Sequence, residues 1–454
     1  MSLIIVQNIY YALAFIAFLW MARRYRSSAF LLLMLCMGFE GTLTYWVPGL
    51  ISQYMRMIYT LWITYLVFKL DAWSVIKGKM LVLLWTFVVF SAYFIWDALY
   101  MNDDTFLMTF SQYSMYYVPF AALLVFGYYH HRNPTNTVYC NKFFTEFILI
   151  QIISGVVKFI LLPGHMLEGM VGTFGGIGGG GAGTSFPLVA LAWVLLNSNM
   201  DIKGWKSWLF VAGLMMVGIA TGKRAVIFLF PVFFLILAMY VARKRYKRGV
   251  VISTILIVPL FFYFGLRLTP SLNPEKKFWG SFDPEYALNY AEDYSMGVEN
   301  KQGDRGEGNG RVGAVKLMLN RIVDIDNYSQ EYWFGNGLAR LYAPPRHFHY
   351  SGRKDNFGVN GRGAMTGFVL LYLAIGIIGI IMFFVYYWNF FIPVKYWRLR
   401  LCLYALVMFD FIFYNAQCLR EPIMQLILIF IMYYSQIQYL PDGKFIGRKH
   451  TYFQ

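Results

Sequence analysis

Residues 364–387 read AMTGFVLLYLAIGIIGIIMFFVYY, 24 positions without one charge. About 20 consecutive apolar residues cross the hydrocarbon core of a bilayer as a helix, so this stretch predicts a transmembrane span. The same pattern recurs outward along the chain. Apolar runs occupy about 3–22, 28–46, 56–70, 80–100, 106–128, 143–163, 185–199, 206–221, 225–242, 249–267, 399–418 and 421–440, which with 364–387 makes thirteen expected spans. The expected fold class is all-α: a polytopic membrane protein of about 13 transmembrane helices with one large ordered extracytoplasmic loop.

Composition points the same way. The 454 residues are 59% hydrophobic and 14% charged, against about 45–50% and roughly 25% in soluble domains. One soluble core cannot hide that much apolar surface, so a soluble enzyme is excluded. A net charge of +16 would suit nucleic acid in a soluble chain. In a polytopic one, Lys and Arg first mark cytoplasmic loops, and no nucleic-acid partner is expected. Cys36, Cys140, Cys402 and Cys418 share no metal-ligand spacing, so neither a disulfide framework nor a zinc site is indicated. No basic stretch precedes the first apolar run, so 3–22 reads as a retained span and not as a cleaved signal.

Orientation follows from the loops. If Arg23, Arg24 and Arg26 are cytoplasmic, then so are Lys77 and Lys79, Arg132 and Lys142, Lys203 and Lys206, the run from Arg243 to Arg248, Lys395, Arg398 and Arg400, and the tail Lys444, Arg448 and Lys449. That places 20 basic residues on one side, so the expected orientation is N-terminus outside and C-terminus inside. Three regions result: 1–267 with spans 1–10 and a Gly-rich outer loop at 164–184, an extracytoplasmic loop at 268–363 with short helices, and 364–454 with spans 11–13 and a cytoplasmic tail.

The loop 268–363 is too long to be a mere connection and is expected to be ordered. Within it, Val312, Val315, Leu319 and Ile322 recur at helical spacing with basic residues opposite. Its end is cationic, with Arg340, Arg346, Arg353, Lys354 and Arg362 against the single acid Asp355. The positive-inside rule does not explain positive charge on an outer face. Arginine forks pair two-pronged with phosphate oxygens, so a lipid-linked phosphate or pyrophosphate is the natural partner, with anionic headgroups as the blander one. Lys223 and Arg224 in Thr221-Gly222-Lys223-Arg224-Ala225 add a second outer cationic pair, which either faces a site or snorkels to the interface.

Gly172-Thr173-Phe174-Gly175, the Thr221–Ala225 turn, Trp333-Phe334-Gly335-Asn336-Gly337-Leu338 in the outer loop and Gly376-Ile377-Ile378-Gly379 in the span closing it together resemble the bacterial O-antigen polymerase and ligase family. Its members join undecaprenyl-pyrophosphate-linked glycans on the outer face of the cytoplasmic (inner) membrane. Met365-Thr366 stands where the ligase branch has a His followed by Asn, Ser or Gln, which tilts the resemblance towards polymerase. It implies glycosyl transfer without a nucleotide sugar, metal or cofactor. A hydroxyl of one lipid-linked oligosaccharide repeat attacks the anomeric carbon of another, and lipid pyrophosphate leaves. Arg224 would stabilise that anion, helped by Lys223, Arg311, Arg340, Arg346, Arg353 and Arg362, and His347 or His349 would serve as general base. Expected partners are the polyprenyl-pyrophosphate-linked oligosaccharide, membrane lipids, a chain-length regulator and a flippase. The alternatives are a ligase transferring glycan to a lipid acceptor, and a flippase or exporter of lipid-linked oligosaccharide.

Other signals carry less. Ten of the 20 residues at 164–183 are glycine, which reads as an outer hinge or a close-packed re-entrant stretch; the embedded Gly-x-Gly-x-x-Gly follows no strand, so dinucleotide binding is rejected. Asn102-Asp103-Asp104 reads as a solvated turn. Tyr332, Trp333, Tyr342 and Tyr350 suit either sugar stacking or anchoring at headgroup level. Glu40, Asp97, Glu146, Lys158 and Asp410 fall inside apolar spans, where charge is costly and by default functional, with structural pairing as the alternative. No pair of broken spans is expected, which counts against a transporter.

Overall fold

The computed structural model describes residues 3–47, 52–102, 104–161, 172–173, 182–197, 205–220, 224–241, 247–296, 310–323, 329–338, 366–414 and 416–437. Among them the regular structure is entirely helical. The helices are α1 (Leu3–Arg24), α2 (Ala29–Gly38), α3 (Glu40–Trp46), α4 (Ser52–Lys69), α5 (Met80–Trp96), α6 (Phe106–Arg132), α7 (Thr135–Leu161), α8 (Ala182–Asn197), α9 (Trp205–Ala220), α10 (Arg224–Val241), α11 (Lys247–Leu268), α12 (Pro284–Met296), α13 (Arg311–Val323), α14 (Gln330–Phe334), α15 (Gly367–Phe390), α16 (Trp397–Phe413), α17 (Gln417–Arg420) and α18 (Pro422–Ile437). Each of the thirteen apolar runs coincides with a helix, the second with the bent pair α2 and α3.

Four helical segments, Ile4–Arg24, Met80–Met101, Thr135–Lys158 and Gly367–Phe390, are long and apolar enough to cross a membrane, and the α2–α3 pair, bent by 74°, makes five if it counts as one span. Their outward faces are greasy: Ile16 on α1 is 62% exposed and Trp85 on α5 is 66% exposed. Such surfaces suit lipid, as in a multi-pass membrane protein.

Local chemistry sets the helix ends. Ser28 caps α2 by accepting from the Leu31 amide at 3.2 Å, and Thr366 caps α15 through the Val369 amide at 3.3 Å. Arg23 and Arg24 close α1 where the helix dipole favours cations. Pro119, Pro187, Pro231 and Pro259 sit inside α6, α8, α10 and α11, a placement that neighbouring elements make tolerable in membrane helices.

The core is aromatic. Phe87 stacks on Phe120 with ring centroids 4.0 Å apart and Phe383 on Phe411 at 4.2 Å. Phe90 lies parallel to Tyr386 at 5.6 Å, so α5, α6, α15 and α16 form one packed body. Against α6, α7, α8 and α2 lies α18, buried at every position from Pro422 to Ser435.

Two helices are broken, contrary to the sequence expectation. The first break falls at Phe39, between α2 and α3. The second lies inside α15, where Gly376 adopts φ 66° and ψ −169°. Hydrophobicity plots average over such kinks, which is why the runs looked continuous.

The first break is closed by part of the glycine tract, so its described portion is a packed insertion and not a hinge. Thr173 donates from its hydroxyl to the Gly38 carbonyl at 2.8 Å, and its carbonyl accepts from the Thr42 amide at 3.3 Å. Gln151 of α7 holds Thr173 on both sides, donating to its hydroxyl and accepting from its amide, each at 2.7 Å. Tyr10 of α1 donates to the Gly172 carbonyl at 2.7 Å and meets the Ser154 hydroxyl at 2.6 Å.

Of the acids inside apolar runs, Glu146 is paired structurally, with Arg24 at 2.9 Å and the Tyr25 hydroxyl at 2.8 Å. The start of the long polar segment is ordered too: Arg267 lies 4.2 Å from the Trp279 ring and donates to the Gly280 carbonyl at 2.8 Å. Nearby, the Ser281 amide and hydroxyl both donate to Glu275, which holds its carboxyl below the usual range. Between α11 and α15, α12 packs on α13, and α13 packs on α15 and α16. Its buried side is Ala314, Val315 and Met318, whereas Leu319, expected to face inward, is 48% exposed.

Thr173→Val should lower thermal stability in detergent, because it strands the Gly38 carbonyl and the Gln151 amide at a cost of about 1–3 kcal/mol. A melting temperature equal to that of the unsubstituted protein would mean that the insertion does not close the α2–α3 break.

Candidate functional site

The α15 break exposes carbonyls that a continuous helix would satisfy. Segment 329–338, which contains the Trp333–Leu338 motif, supplies the donors. The Asn336 amide donates to the Leu373 carbonyl at 2.7 Å and the Gly337 amide to the Ala374 carbonyl at 3.1 Å. The Tyr93 hydroxyl of α5 reaches the Ile375 carbonyl at 2.9 Å and the Trp333 carbonyl at 3.3 Å. Glycine is required on both sides of this contact. Gly335 has φ 78°, and a Cβ there would collide with the Ala374 backbone; a Cβ on Gly376 would collide with the Trp333 carbonyl.

The far end of the motif is fixed by an acid read as solvated. Asp104 is buried, and its Oδ2 accepts from the Leu338 amide at 2.7 Å. Beside it, a π-helical turn over Asp97–Met101 ends α5, and the Asn102 side chain donates to Asp97 Oδ2 at 3.1 Å. The turn 102–104 is thus a clamp and not a solvated bend; Asp103 lies outside the described residues.

Below the motif is a narrow, partly open cleft of about 420 Å³ between α6, α15 and α16. Phe94, Met115, Leu370, Leu371 and Phe411 make it mostly apolar, Gln112 adds an amide, Leu338 forms part of its rim, and Arg420 of α17 enters from one side. The short α17 is held by Asp410, whose carboxylate accepts from the Ser185 hydroxyl at 2.6 Å and the Cys418 amide at 2.7 Å. Asp410 thereby has a structural partner on α8. Residue Glu421, next to Arg420, is tied to Arg56 of α4 at 3.0 Å.

Of the residues singled out from sequence, Arg311 is visible with its side chain. It begins α13, and its guanidinium lies 5.0 Å from the Tyr414 ring, near the turn that carries α17. Arg224 is the first residue of α10, which packs on α8 and α16; its side chain is not described. Lys223, Arg340, Arg346, His347, His349, Arg353 and Arg362 lie outside the described residues, as do Tyr342 and Tyr350. Tyr332 donates to the Ile322 carbonyl at 3.0 Å, a structural use, and Trp333 is 41% exposed.

Arg420 was missed because it falls between two apolar runs placed three residues apart. The legible signal was a basic residue before Glu421-Pro422 in an expected outer turn, where the positive-inside rule gives no reason for one. No group of three or more His, Cys, Asp or Glu able to hold a metal occurs among the described residues. Comparisons with family models, curated proteins and solved structures gave no match.

Gly335→Ala should cost more stability than Tyr93→Phe, since the first forces a collision with backbone at a positive φ and the second removes a hydroxyl worth about 0.5–1.5 kcal/mol. Thermal unfolding in detergent reads both; the reverse ranking would mean that the motif is not seated in the α15 break.

Proposed function

We propose that this chain is a glycan polymerase of the bacterial cytoplasmic membrane, joining polyprenyl-pyrophosphate-linked oligosaccharide repeats on its outer face. The reading takes all thirteen apolar runs as crossings, with the N-terminus outside and the C-terminus in the cytoplasm. The observation that carries it is the docking of Trp333–Leu338 onto the Gly376 break: a segment of the long polar stretch is seated on the membrane helices beside a cleft. At that end of the bundle, Arg311 and Arg420 supply positive charge.

In the proposed reaction an acceptor hydroxyl forms a bond to the anomeric carbon of the donor repeat. The bond from that carbon to the pyrophosphate oxygen breaks, and its electron pair leaves with lipid pyrophosphate. Arg224 and Lys223, with Arg311, Arg340, Arg346, Arg353 and Arg362, are the candidate groups for stabilising the departing anion. His347 or His349 would take the hydroxyl proton. A ligase would use the same charge with a different acceptor. A flippase or exporter is the second reading, favoured by the two broken helices, since broken spans recur in transporters.

A sizing gel of surface and lipid-linked polysaccharide separates the three. Cells lacking the protein should show single repeats in place of a ladder. Long chains still on polyprenyl pyrophosphate would identify a ligase, and repeats confined to the cytoplasmic face a flippase.

Arg224→Ala should abolish long chains with the protein still in the membrane. Arg224→Lys should also be impaired, because a point charge does not reproduce the guanidinium fork. Wild-type chain lengths in Arg224→Ala would remove this residue from the mechanism.

A further inference from the structure

Arg420 sits in an unusual position for a membrane-protein arginine. Basic side chains near helix ends normally snorkel until their heads are wet. Here the side chain is half-buried, and its Nε is enclosed without a hydrogen-bond partner among the described residues. The nearby acids are otherwise engaged. Asp410 accepts from Ser185 and Cys418, Glu421 is paired with Arg56, and no carboxylate among the described residues forms an ion pair with Arg420. A half-buried guanidinium without a counter-charge is costly, and the surroundings maintain the arrangement. Asp410 fixes α17, Ala416 before it takes φ 53°, and the Arg56–Glu421 bridge anchors the following residue. The group is built to face the cleft.

The rest of the cleft defines what would complete it. Its walls are Phe94, Met115, Leu370, Leu371 and Phe411, with the Gln112 amide as a further polar group. One fixed cation at the edge of an apolar slot matches an amphiphile with an anionic head and a hydrocarbon chain. The guanidinium fork is suited to phosphate oxygens. Sugar hydroxyls would find too few polar partners along these walls.

We infer that this cleft binds the phosphate or pyrophosphate head of a membrane amphiphile, with Arg420 gripping the head and the wall of Phe94, Met115, Leu370 and Leu371 taking the first carbons of its chain. As a phosphate-amphiphile site it stands on the geometry alone. Its assignment to the lipid-linked substrate rests on the polymerase reading, and a phospholipid of the surrounding bilayer shares the same chemistry.

The test uses the purified full-length protein in detergent and radiolabelled farnesyl pyrophosphate as the probe, with binding measured by equilibrium dialysis. The unsubstituted protein should bind it saturably, Arg420→Ala should weaken binding at least tenfold, and Arg420→Lys should fall between. Met115→Trp, which fills the slot from its wall and leaves the arginine in place, should weaken binding as well. This second variant guards against Arg420→Ala failing to fold, which its melting temperature reports. Equal affinity in the wild type and Arg420→Ala, with melting unchanged, would overturn the proposal. So would inorganic pyrophosphate competing as well as the prenyl probe, because the apolar walls would then play no part. Displacement by phosphatidylglycerol at matched concentration would support the site and assign it to a membrane phospholipid; its failure to displace would assign the site to the prenyl pyrophosphate. Binding needs no polymerisation, so an unaltered polysaccharide ladder in cells lacking the protein would sink the polymerase reading and leave this result standing.

Discussion

A peptide carbonyl facing hydrocarbon must find a donor within the protein, and the carbonyls of Leu373, Ala374 and Ile375 find theirs in Asn336, Gly337 and Tyr93. Much of the described architecture depends on that exchange. It requires the chain at 329–338 to lie against α15, two glycines to remove the Cβ atoms that would separate them, and α5 to present Tyr93 at the same level. Asp104 then has a reason to be buried, since it holds the Leu338 amide that ends the segment. Thr173 solves the same problem at Gly38 with a different piece of chain. Both breaks are closed from elsewhere in the sequence by backbone and small polar groups.

This pattern explains what could be read in advance. Helix existence was legible because each run of apolar residues is long and uninterrupted, as at 364–387 or 80–100. The breaks were not, because Gly376 and Phe39 differ from their neighbours in backbone torsion and not in hydropathy. The Trp333–Leu338 motif was noticed as a motif, yet its partner 40 residues on could be found only in three dimensions. Asp104 illustrates the converse error. Two adjacent acids look solvated in a sequence, but one amide donor at 2.7 Å is enough to bury the second of them. Arg311 was selected for its charge and proves to lie over an aromatic ring, while Arg420 escaped notice in a short turn.

The charged groups at this end of the bundle are divided between two uses. Asp104, Asp410 and Glu421 each hold backbone or a partner side chain in place, so the acids act as fasteners. Arg420 is left facing an apolar slot by those same fasteners. An arrangement in which anions are consumed by the scaffold and a cation is kept for the cavity selects ligands by sign before any particular contact is made.

The position of α18 has a consequence for how the molecule is made. It is the most deeply enclosed helix described, buried from Pro422 to Ser435, and it is also the most C-terminal of them. A ribosome delivers it after α2, α6, α7 and α8, whose faces it covers. Those helices must wait in the bilayer with an unfilled slot between them, shielded by lipid or by an insertion factor. Tyr433, whose hydroxyl donates to the Leu123 carbonyl at 3.3 Å across 310 residues of sequence, makes one of the contacts that close it. Biogenesis of this protein is therefore post-translational in its decisive step, and a translation arrest shortly before 422 would release a bundle with its centre missing.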